Sequence, residues 1–175
     1  MRPTFCNWFA PVAVLCLLVI ACSQGNGQTA ATGSSASAEA GFTAVLASYE
    51  AARAALAGDR IADAVFAANG LEAACRASKS SVEPAQHGEL DALAKASARL
   101  SQQTSDDARA VRRGFGEVSR HLITILRVAP KLRAGLYLFE CPMAEGFKQW
   151  VAQNEQIENP YMGSQMLHCG SKRQF

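Results

Sequence analysis

Residues 106–130 read DDARAVRRGFGEVSRHLITILRVAP, and they hold the clearest amphipathic pattern of the chain. Apolar residues recur there at the spacing of one helix face, on Val111, Phe115, Val118, Leu122, Ile125 and Ala129. Asp106 and Asp107 precede the pattern, where a helix N-terminus favours negative charge. Pro130 follows it and cannot continue a helix. The pattern therefore predicts a helix between these limits.

Three further helical patterns precede this one. The first has its apolar face on Phe42, Val45, Leu46, Tyr49, Ala52 and Leu56, and Gly58-Asp59 closes it. The second has its apolar face on Ile61, Val65, Ala68, Leu71 and Cys75, and it ends near Pro84. The third, on an alanine-rich stretch, has Leu90, Leu93, Ser97 and Leu100. Four such helices joined by short turns predict an all-α fold, with an antiparallel four-helix bundle over residues 41–133.

Residues 134–175 have a different pattern, which predicts a short irregular appendix packed on the bundle. The apolar run 136–139 predicts a short extended segment. Residues 145–154 predict a short helix that faces the bundle with Phe147, Trp150 and Val151. Asn159-Pro160 then predicts a turn. Bundle and appendix together form a single predicted domain, residues 41–175.

The chain opens like the precursor of an exported protein. Arg2 leads into an apolar run from Phe9 to Ile20, which is too short for a permanent membrane span and is typical of a secretory signal. Its end, Val19-Ile20-Ala21-Cys22, resembles the lipobox of bacterial lipoprotein precursors. The resemblance implies that residues 1–21 are removed, that Cys22 is lipidated, and, because Ser23 follows, that the protein is anchored to the outer membrane in the periplasm. The alternative is an ordinary signal peptide with a chance cysteine.

The segment after the predicted cleavage site is expected to be a tether. Residues 22–40 are rich in Ser, Gly, Gln, Thr and Ala with one charge, a composition that predicts disorder. Arg2 is the only charged residue of the predicted leader, so the remaining chain has 16 Lys and Arg against 15 Asp and Glu, a net charge of +1. This balance gives no indication of a nucleic-acid partner.

Sulfur and imidazole side chains are concentrated in the appendix, which contains every methionine after Met1. Thiolate, thioether and imidazole are the ligands that soft metals prefer, above all Cu(I) and its analogue Ag(I). The candidate ligands are Cys141, Met143, Met166, His168 and Cys169, with Met162 at the rim. Calcium or magnesium would need a cluster of oxygens, and no cysteine pair has zinc-finger spacing. The sequence therefore predicts a site for Cu(I) or Ag(I).

A disulfide between Cys141 and Cys169 is the alternative, because thiols tend to pair in an oxidising compartment. Closing a loop of this length would stabilise the fold by roughly 3.5 kcal/mol in the chain-entropy model. Met143, Met162 and Met166 would then fill the core, or Met143, Met166 and His168 would bind copper alone. Both alternatives stay open from the sequence. Cys75, on an apolar stripe, is expected to be an inert buried thiol.

The tail also resembles a known family. Its wording Cys141-Pro142-Met143-Ala144, Trp150, Ile157-Glu158-Asn159-Pro160-Tyr161, Gly163, Met166 and Cys169-Gly170 is similar to the end of the bacterial domain of unknown function 3347. The resemblance extends from residue 42 to the end and is looser in the helices. It implies an α-helical periplasmic domain with a metal-handling role, of the kind fused to adaptor subunits of copper and silver efflux pumps. Glu140 stands where relatives often have a histidine, which removes one soft ligand.

The polar side of the fourth helix carries a row of arginines. Arg113, Arg120 and Arg127 recur every seven residues, joined by Arg109 and Lys131. The row is either a solvated face or a docking surface for an acidic partner such as a pump adaptor. No serine elbow, phosphate loop, HExxH or recognisable carboxylate pair is present, so a binding protein is expected rather than an enzyme. The alternative function is a non-metal structural or protein-interaction module of the cell envelope, stapled by a Cys141–Cys169 disulfide.

Overall fold

The computed structural model describes the backbone of residues 32–175 and the side chains of residues 41–175. The predicted signal peptide (1–21), the predicted lipidation site Cys22 and residues 22–31 of the predicted tether lie outside the described residues. Within them are four α-helices: α1 (Thr32–Ala57), α2 (Ile61–Ala77), α3 (His87–Ser101) and α4 (Ala108–Val128). All four predicted helices are confirmed. Because α1 begins at Thr32, residues 32–40 of the predicted tether are helical.

Helix α4 forms where its amphipathic pattern predicts. Asp107 is its N-cap, and the Oδ1 atom of this residue accepts a hydrogen bond of 2.9 Å from the backbone N–H of Ala110. The predicted stripe is buried at Val111, Phe115, Val118, Leu122 and Ile125. A cap contributes about 1 kcal/mol, whereas each fully buried apolar side chain contributes about 1.5–3 kcal/mol. Packing of the stripe, rather than the cap, therefore stabilises this helix in the fold.

Each helix packs against the next one in the chain, and α4 also contacts α1 and α2. The turn between α1 and α2 is short, and Asp59 adopts a left-handed conformation there with φ of 56°. Two 3-10 helices, Lys79–Ser81 and Pro84–Gln86, connect α2 to α3. These short connections keep consecutive helices side by side.

A small sheet follows the helices, and it corrects the prediction of an all-α fold. Its strands are β1 (Tyr137–Glu140), β2 (Gln149–Ala152) and β3 (Ser171–Arg173), in the order β2-β1-β3, with both pairings antiparallel. The predicted extended segment is confirmed as β1. The fold is thus mostly helical, with a three-stranded antiparallel sheet in the C-terminal part of the described chain.

The short helix predicted over residues 145–154 is wrong, because its centre forms β2. Phe147, Trp150 and Val151 have helical spacing, but Gly146 lies in the left-handed region with φ of 71°, and aromatic and β-branched residues favour strands. Strand β1 also has unpaired backbone groups that β2 satisfies, with Phe139 opposite Trp150. Strand β3 (Ser171–Arg173) was not predicted, since its sequence has no apolar alternation.

Helices and sheet share one hydrophobic core. Its buried members from the appendix are Leu138, Phe139, Cys141, Ala144, Trp150, Val151, Ala152 and Tyr161. Cys75 is buried on α2, as expected, and burial raises the pKa of its thiol to about 12. No helix within residues 32–175 is long and apolar enough to cross a membrane.

Candidate functional site

Cys141 and Cys169 are brought side by side by the sheet. Cys141 follows directly after β1, and Cys169 lies two residues before the start of β3. Because Glu140 pairs with Ser171 across the antiparallel ladder, both cysteines emerge at the same end of it. Their Sγ atoms are 2.8 Å apart, although 28 positions separate them in the chain. The structure carries both as thiols, and we call this pair the dithiol.

The two thiols of the dithiol differ in accessibility. Cys141 is 0% exposed, and its backbone N–H donates to the carbonyl oxygen of Lys148 at 3.0 Å. Cys169 is half-buried. Its hydrogen bond with Cys141, and secondarily burial, raises the pKa of the Cys169 thiol above its usual value of 9.0. Cys169 therefore keeps its proton near neutral pH, so a thiolate-seeking metal must displace that proton to bind it.

Asn159 organises the loop that leads to Cys169. Its side chain is buried, and Oδ1 accepts hydrogen bonds from the backbone N–H groups of Tyr161 at 2.8 Å and Met162 at 3.2 Å. Its Nδ2 donates to the carbonyl oxygen of Cys169 at 2.7 Å. Its backbone N–H donates to the carbonyl oxygen of Leu167, also at 2.7 Å. One buried amide thus joins the start of this loop to the second cysteine.

Arg53 fixes the start of the same loop to α1. Its side chain is only 2% exposed. Its Nη1 donates to the carbonyl oxygen of Glu158 at 2.8 Å, and its Nη2 donates to the carboxylates of Glu50 at 2.7 Å and Glu158 at 2.9 Å. A buried charge needs such partners, because an unpaired one costs several kcal/mol. The residue before Asn159 is therefore held by backbone and side chain together.

Arg112 fixes the other side of Asn159 to α4 and to the end of α1. Its Nη1 donates to the carbonyl oxygens of Pro160 at 2.7 Å and Leu56 at 2.9 Å, and its Nη2 donates to the Asp59 carboxylate at 2.5 Å. The other Asp59 oxygen accepts from the backbone N–H of Ser164 at 3.0 Å. Hydrogen bonds from Ser164, together with the Arg112 charge, hold the pKa of Asp59 below its usual value.

A row of aromatic side chains connects the helices to the sheet. Ring centroids of successive members are 5.0–6.0 Å apart in the order Tyr49, Phe115, Tyr161, Trp150 and Phe139. The Tyr49 hydroxyl also accepts from the backbone N–H of Val151 at 3.2 Å. Contacts of this kind contribute about 0.5–1.5 kcal/mol per pair beyond area burial. These ring contacts therefore help to hold the sheet against the helices.

His168 lies next to Cys169 in sequence but is exposed. Its Nδ1–H donates to the carbonyl oxygen of Ile157 at 2.8 Å, which leaves a lone pair on Nε2. Within residues 41–175, no group of three or more His, Cys, Asp or Glu side chains could hold a metal ion. The structure thus brings the two cysteines together without adding His168 to a preformed three-ligand group.

The methionines are distributed over the surface of the tail. Met143 is 62% exposed and Met166 is 39% exposed, while Met162 is half-buried. Met143 and Met162 line a cleft of about 450 Å³ whose other lining residues include Arg109, Arg112, Arg113, Tyr161 and Ser164. Neither cysteine of the dithiol lines this cleft. Two of the three predicted thioether side chains, Met143 and Met162, therefore line a cleft that neither cysteine lines.

The predicted arginine row is partly engaged with the protein itself. Arg120 pairs with Glu117 at 2.8 Å, and its Nη2 also donates to His121 Nε2 at 3.1 Å. Arg127 donates to the Gln149 side chain at 3.0 Å. Arg113 and Arg109 each lie 4.0 Å from the Glu145 carboxylate and line the cleft. Among the arginines of this row, those at the start of α4 are thus the least engaged.

Glu140 occupies the position at which the resemblance would favour a histidine. Its carboxylate accepts from Gln149 Nε2 at 2.8 Å and lies 3.5 Å from the Arg173 guanidinium. The hydrogen bond from Gln149, with the Arg173 contact, holds the pKa of Glu140 below its usual value. The side chain therefore links β2 to β3 across β1.

The roles of Asn159, Arg53 and Arg112 were not predicted from the sequence. A signal for Arg53 existed, since a charged residue four positions after Tyr49 lies beside the apolar face of α1. Asn159 was identified as part of a turn, but the partner of its amide, ten residues further on, has no local signature. No family model matches the chain, and no curated protein or solved structure is significantly similar to it.

Proposed function

We propose that this protein binds a soft monovalent metal, Cu(I) or Ag(I), through the dithiol formed by Cys141 and Cys169. The observation that supports the proposal most is the direct contact of the two Sγ atoms, 2.8 Å apart, which strands from distant parts of the chain produce and which must open to admit an ion. Two adjacent cysteines on a folded scaffold supply the ligands for which Cu(I) and Ag(I) have the strongest preference. The half-buried Cys169 provides access from solvent.

The shortage of further preformed ligands favours a monovalent metal over zinc. Structural zinc takes four protein ligands in tetrahedral geometry, and no group of three His, Cys, Asp or Glu side chains within residues 41–175 could hold a metal ion. Soft monovalent ions accept two to four ligands, so the dithiol is a sufficient minimum. Met143, Met166 and His168 are proposed as additional ligands that approach when the metal binds, with Met162 at the rim.

The proposed setting is the periplasmic face of the outer membrane. Cys22 would carry the lipid anchor, and an antiparallel four-helix bundle would carry the dithiol. The resemblance of the tail to the domain of unknown function 3347 supports a link to metal efflux or homeostasis, with a pump adaptor as partner. The proposed activity is binding and transfer of the ion, without catalysis.

The test is a competition titration of the reduced protein with Cu(I) against a chelator of known affinity. Cys141→Ser and Cys169→Ser are each expected to lower the affinity at least about 100-fold, because removal of one of two thiolates leaves a single strong ligand. Cys75→Ser is the matched control, since that thiol is buried on α2. Equal affinity in all four proteins would refute the proposal.

The same 2.8 Å separation also favours a second candidate, a non-metal structural or interaction module in which Cys141 and Cys169 form a disulfide. Oxidation would then stabilise the fold by roughly 3.5 kcal/mol. Mass spectrometry without reductant, on protein from a copper-supplied periplasm, separates the candidates: a complete bridge with no retained metal favours this one. Its proposed docking surface is the basic face of α4, with Arg113, Arg120 and Arg127, so charge reversal at Arg113 and Arg120 should abolish capture of an acidic partner.

A further inference from the structure

Asn159 is a polar residue with 0% exposure, and all three of its side-chain hydrogen bonds are made to backbone groups. Two of these bonds, from Tyr161 and Met162 to Oδ1, shape the turn that follows Asn159. The third, from Nδ2 to the carbonyl oxygen of Cys169, reaches ten residues along the chain. The turn alone therefore does not explain why this position carries an amide, since a carboxylate would accept the same two bonds.

The residues on both sides of Asn159 are anchored to the helices. The Glu158 carbonyl accepts from Arg53, and the Pro160 carbonyl accepts from Arg112. The Asn159 amide thus extends from a fixed point to the backbone of Cys169. Cys141, by contrast, is fixed by strand β1 and by its own bond to Lys148. The distance between the two sulfur atoms depends on both supports.

We infer that Asn159 is the positioning residue of the dithiol: its Nδ2–H···O bond to Cys169 holds the second thiol against the first. The effect on the proximity of the two thiols is independent of any metal. The effect on metal affinity rests on the proposed function.

Asn159→Asp isolates the bond in question. The carboxylate keeps an acceptor for Tyr161 and Met162 but replaces the donor to Cys169 with a second oxygen. When ionised, that oxygen repels the Cys169 carbonyl. Asn159→Asp therefore removes the donor to Cys169 while it keeps both acceptor contacts of the turn.

The experiment uses the processed protein, expressed from the full-length gene and purified from membranes in detergent. The first readout is the equilibrium between dithiol and Cys141–Cys169 disulfide in glutathione buffers, measured by alkylation and mass spectrometry at pH 8. At pH 8, Asn159→Asp is expected to lower the effective concentration of the two thiols about 10-fold to 100-fold, since a buried acceptor has lost its donor. Asn154→Asp, at an exposed position of the tail, should have the same dithiol–disulfide equilibrium as the wild type.

A ratio of variant to wild type that stays at one would overturn the inference, as would an equal loss of thiol proximity in Asn154→Asp. If circular dichroism shows that Asn159→Asp does not fold, the wild-type protein with ¹⁵N-labelled asparagine gives the answer. The side-chain amide resonance of Asn159 should then shift when the dithiol is oxidised by glutathione disulfide while that of Asn154 does not, and an unshifted Asn159 resonance refutes the role.

The second readout, Cu(I) affinity in the same proteins, separates this inference from the proposed function. Lower thiol proximity in Asn159→Asp, with no Cu(I) binding even in the wild type, keeps the positioning role and removes the metal function. Cu(I) binding of equal strength and unchanged thiol proximity in both proteins removes the positioning role and keeps the metal function.

Discussion

Gly170 joins the second cysteine of the dithiol to strand β3. A methyl group at this position would lie 2.8 Å from the Trp150 ring and 3.3 Å from the Glu140 carbonyl oxygen. Neither neighbour can retreat easily, because one is a fully buried ring and the other belongs to the central strand. We therefore expect Gly170→Ala to lower the free energy of unfolding by about 1–3 kcal/mol, the usual range for overpacking.

The matched control for this substitution is Gly88→Ala. Gly88 lies in α3 with open space where its methyl group would be, so the substitution should be neutral or stabilise by up to about 1 kcal/mol. Urea denaturation of the reduced proteins measures both changes. Equal effects of the two substitutions would contradict the proposed contact with Trp150.

The three described cysteines should react with an alkylating reagent in a fixed order. Cys169 is half-buried, whereas Cys141 and Cys75 are buried, and burial raises the pKa of Cys75 to about 12. Because the thiolate is the reactive form, Cys169 should be modified first and Cys75 only on unfolding. Timed alkylation of the reduced protein, followed by peptide mass spectrometry, checks the order. Early labelling of Cys75 would contradict it.

For single residues of the candidate site, the sequence predicts which side chains matter better than it predicts their hydrogen-bond partners. The concentration of sulfur in the tail identified Cys141 and Cys169 as candidates, and the structure places their sulfur atoms together. The bond from Asn159 to Cys169 could not be predicted, because a single side-chain hydrogen bond across a loop produces no periodic pattern in the sequence. Such bonds depend on where the backbone has already been placed.

Between α1 and the tail, Arg53 is the main electrostatic connection. Replacing it with methionine keeps much of the side-chain volume but leaves the Glu50 and Glu158 carboxylates without their partner. We expect a loss of about 2–4 kcal/mol in the free energy of unfolding, somewhat below a fully buried pair since both carboxylates are partly exposed.

Arg60→Met is the control for Arg53→Met. The guanidinium of Arg60 pairs with Asp63 at the start of α2, but the Arg60 side chain is 56% exposed. An exposed pair of this kind contributes less than about 1 kcal/mol. Denaturant titration of both variants tests the difference, and a similar loss in both would show that the buried network is not the connection described.

The elements differ in how well local pattern predicts them. Each of the four helices has its apolar stripe within one continuous segment, so the helical period can be recognised in the sequence. Strand β2 was predicted as helix because Phe147, Trp150 and Val151 fit both a helix face and a short buried strand. Strand β3 consists of Ser171, Lys172 and Arg173, and it forms because β1 offers it hydrogen bonds. Strand pairing between distant segments is a tertiary event that a single segment does not encode.

The molecule as a whole should be sensitive to alkaline conditions. Burial raises the pKa of Cys75 from 9.0 to about 12 and holds the pKa values of Tyr49 and Tyr161 above 10.0. The folded protein therefore keeps these protons while the unfolded chain releases them. Stability is fully present below about pH 9 and falls as the pH rises from 9 toward 12.

Cys75→Ala separates the thiol from the tyrosines in this alkaline loss. Between pH 8 and pH 11 the wild type should lose roughly 1–3 kcal/mol more than the variant, at up to about 1.4 kcal/mol per pH unit for one proton. The free energy of unfolding in urea at each pH gives the comparison. Parallel pH profiles would show that the Cys75 thiol is not the group responsible.

The position of Trp150 gives this protein a built-in optical signal. The chain has two tryptophans, and the other, Trp8, belongs to the predicted leader. Once that leader is removed, all tryptophan emission would come from an indole that packs on Phe139 and lies beside Gly170, the residue that follows Cys169. Excitation of the native protein should therefore report directly, without any dye, on whether the neighbouring sulfur atoms are bare, bridged or loaded.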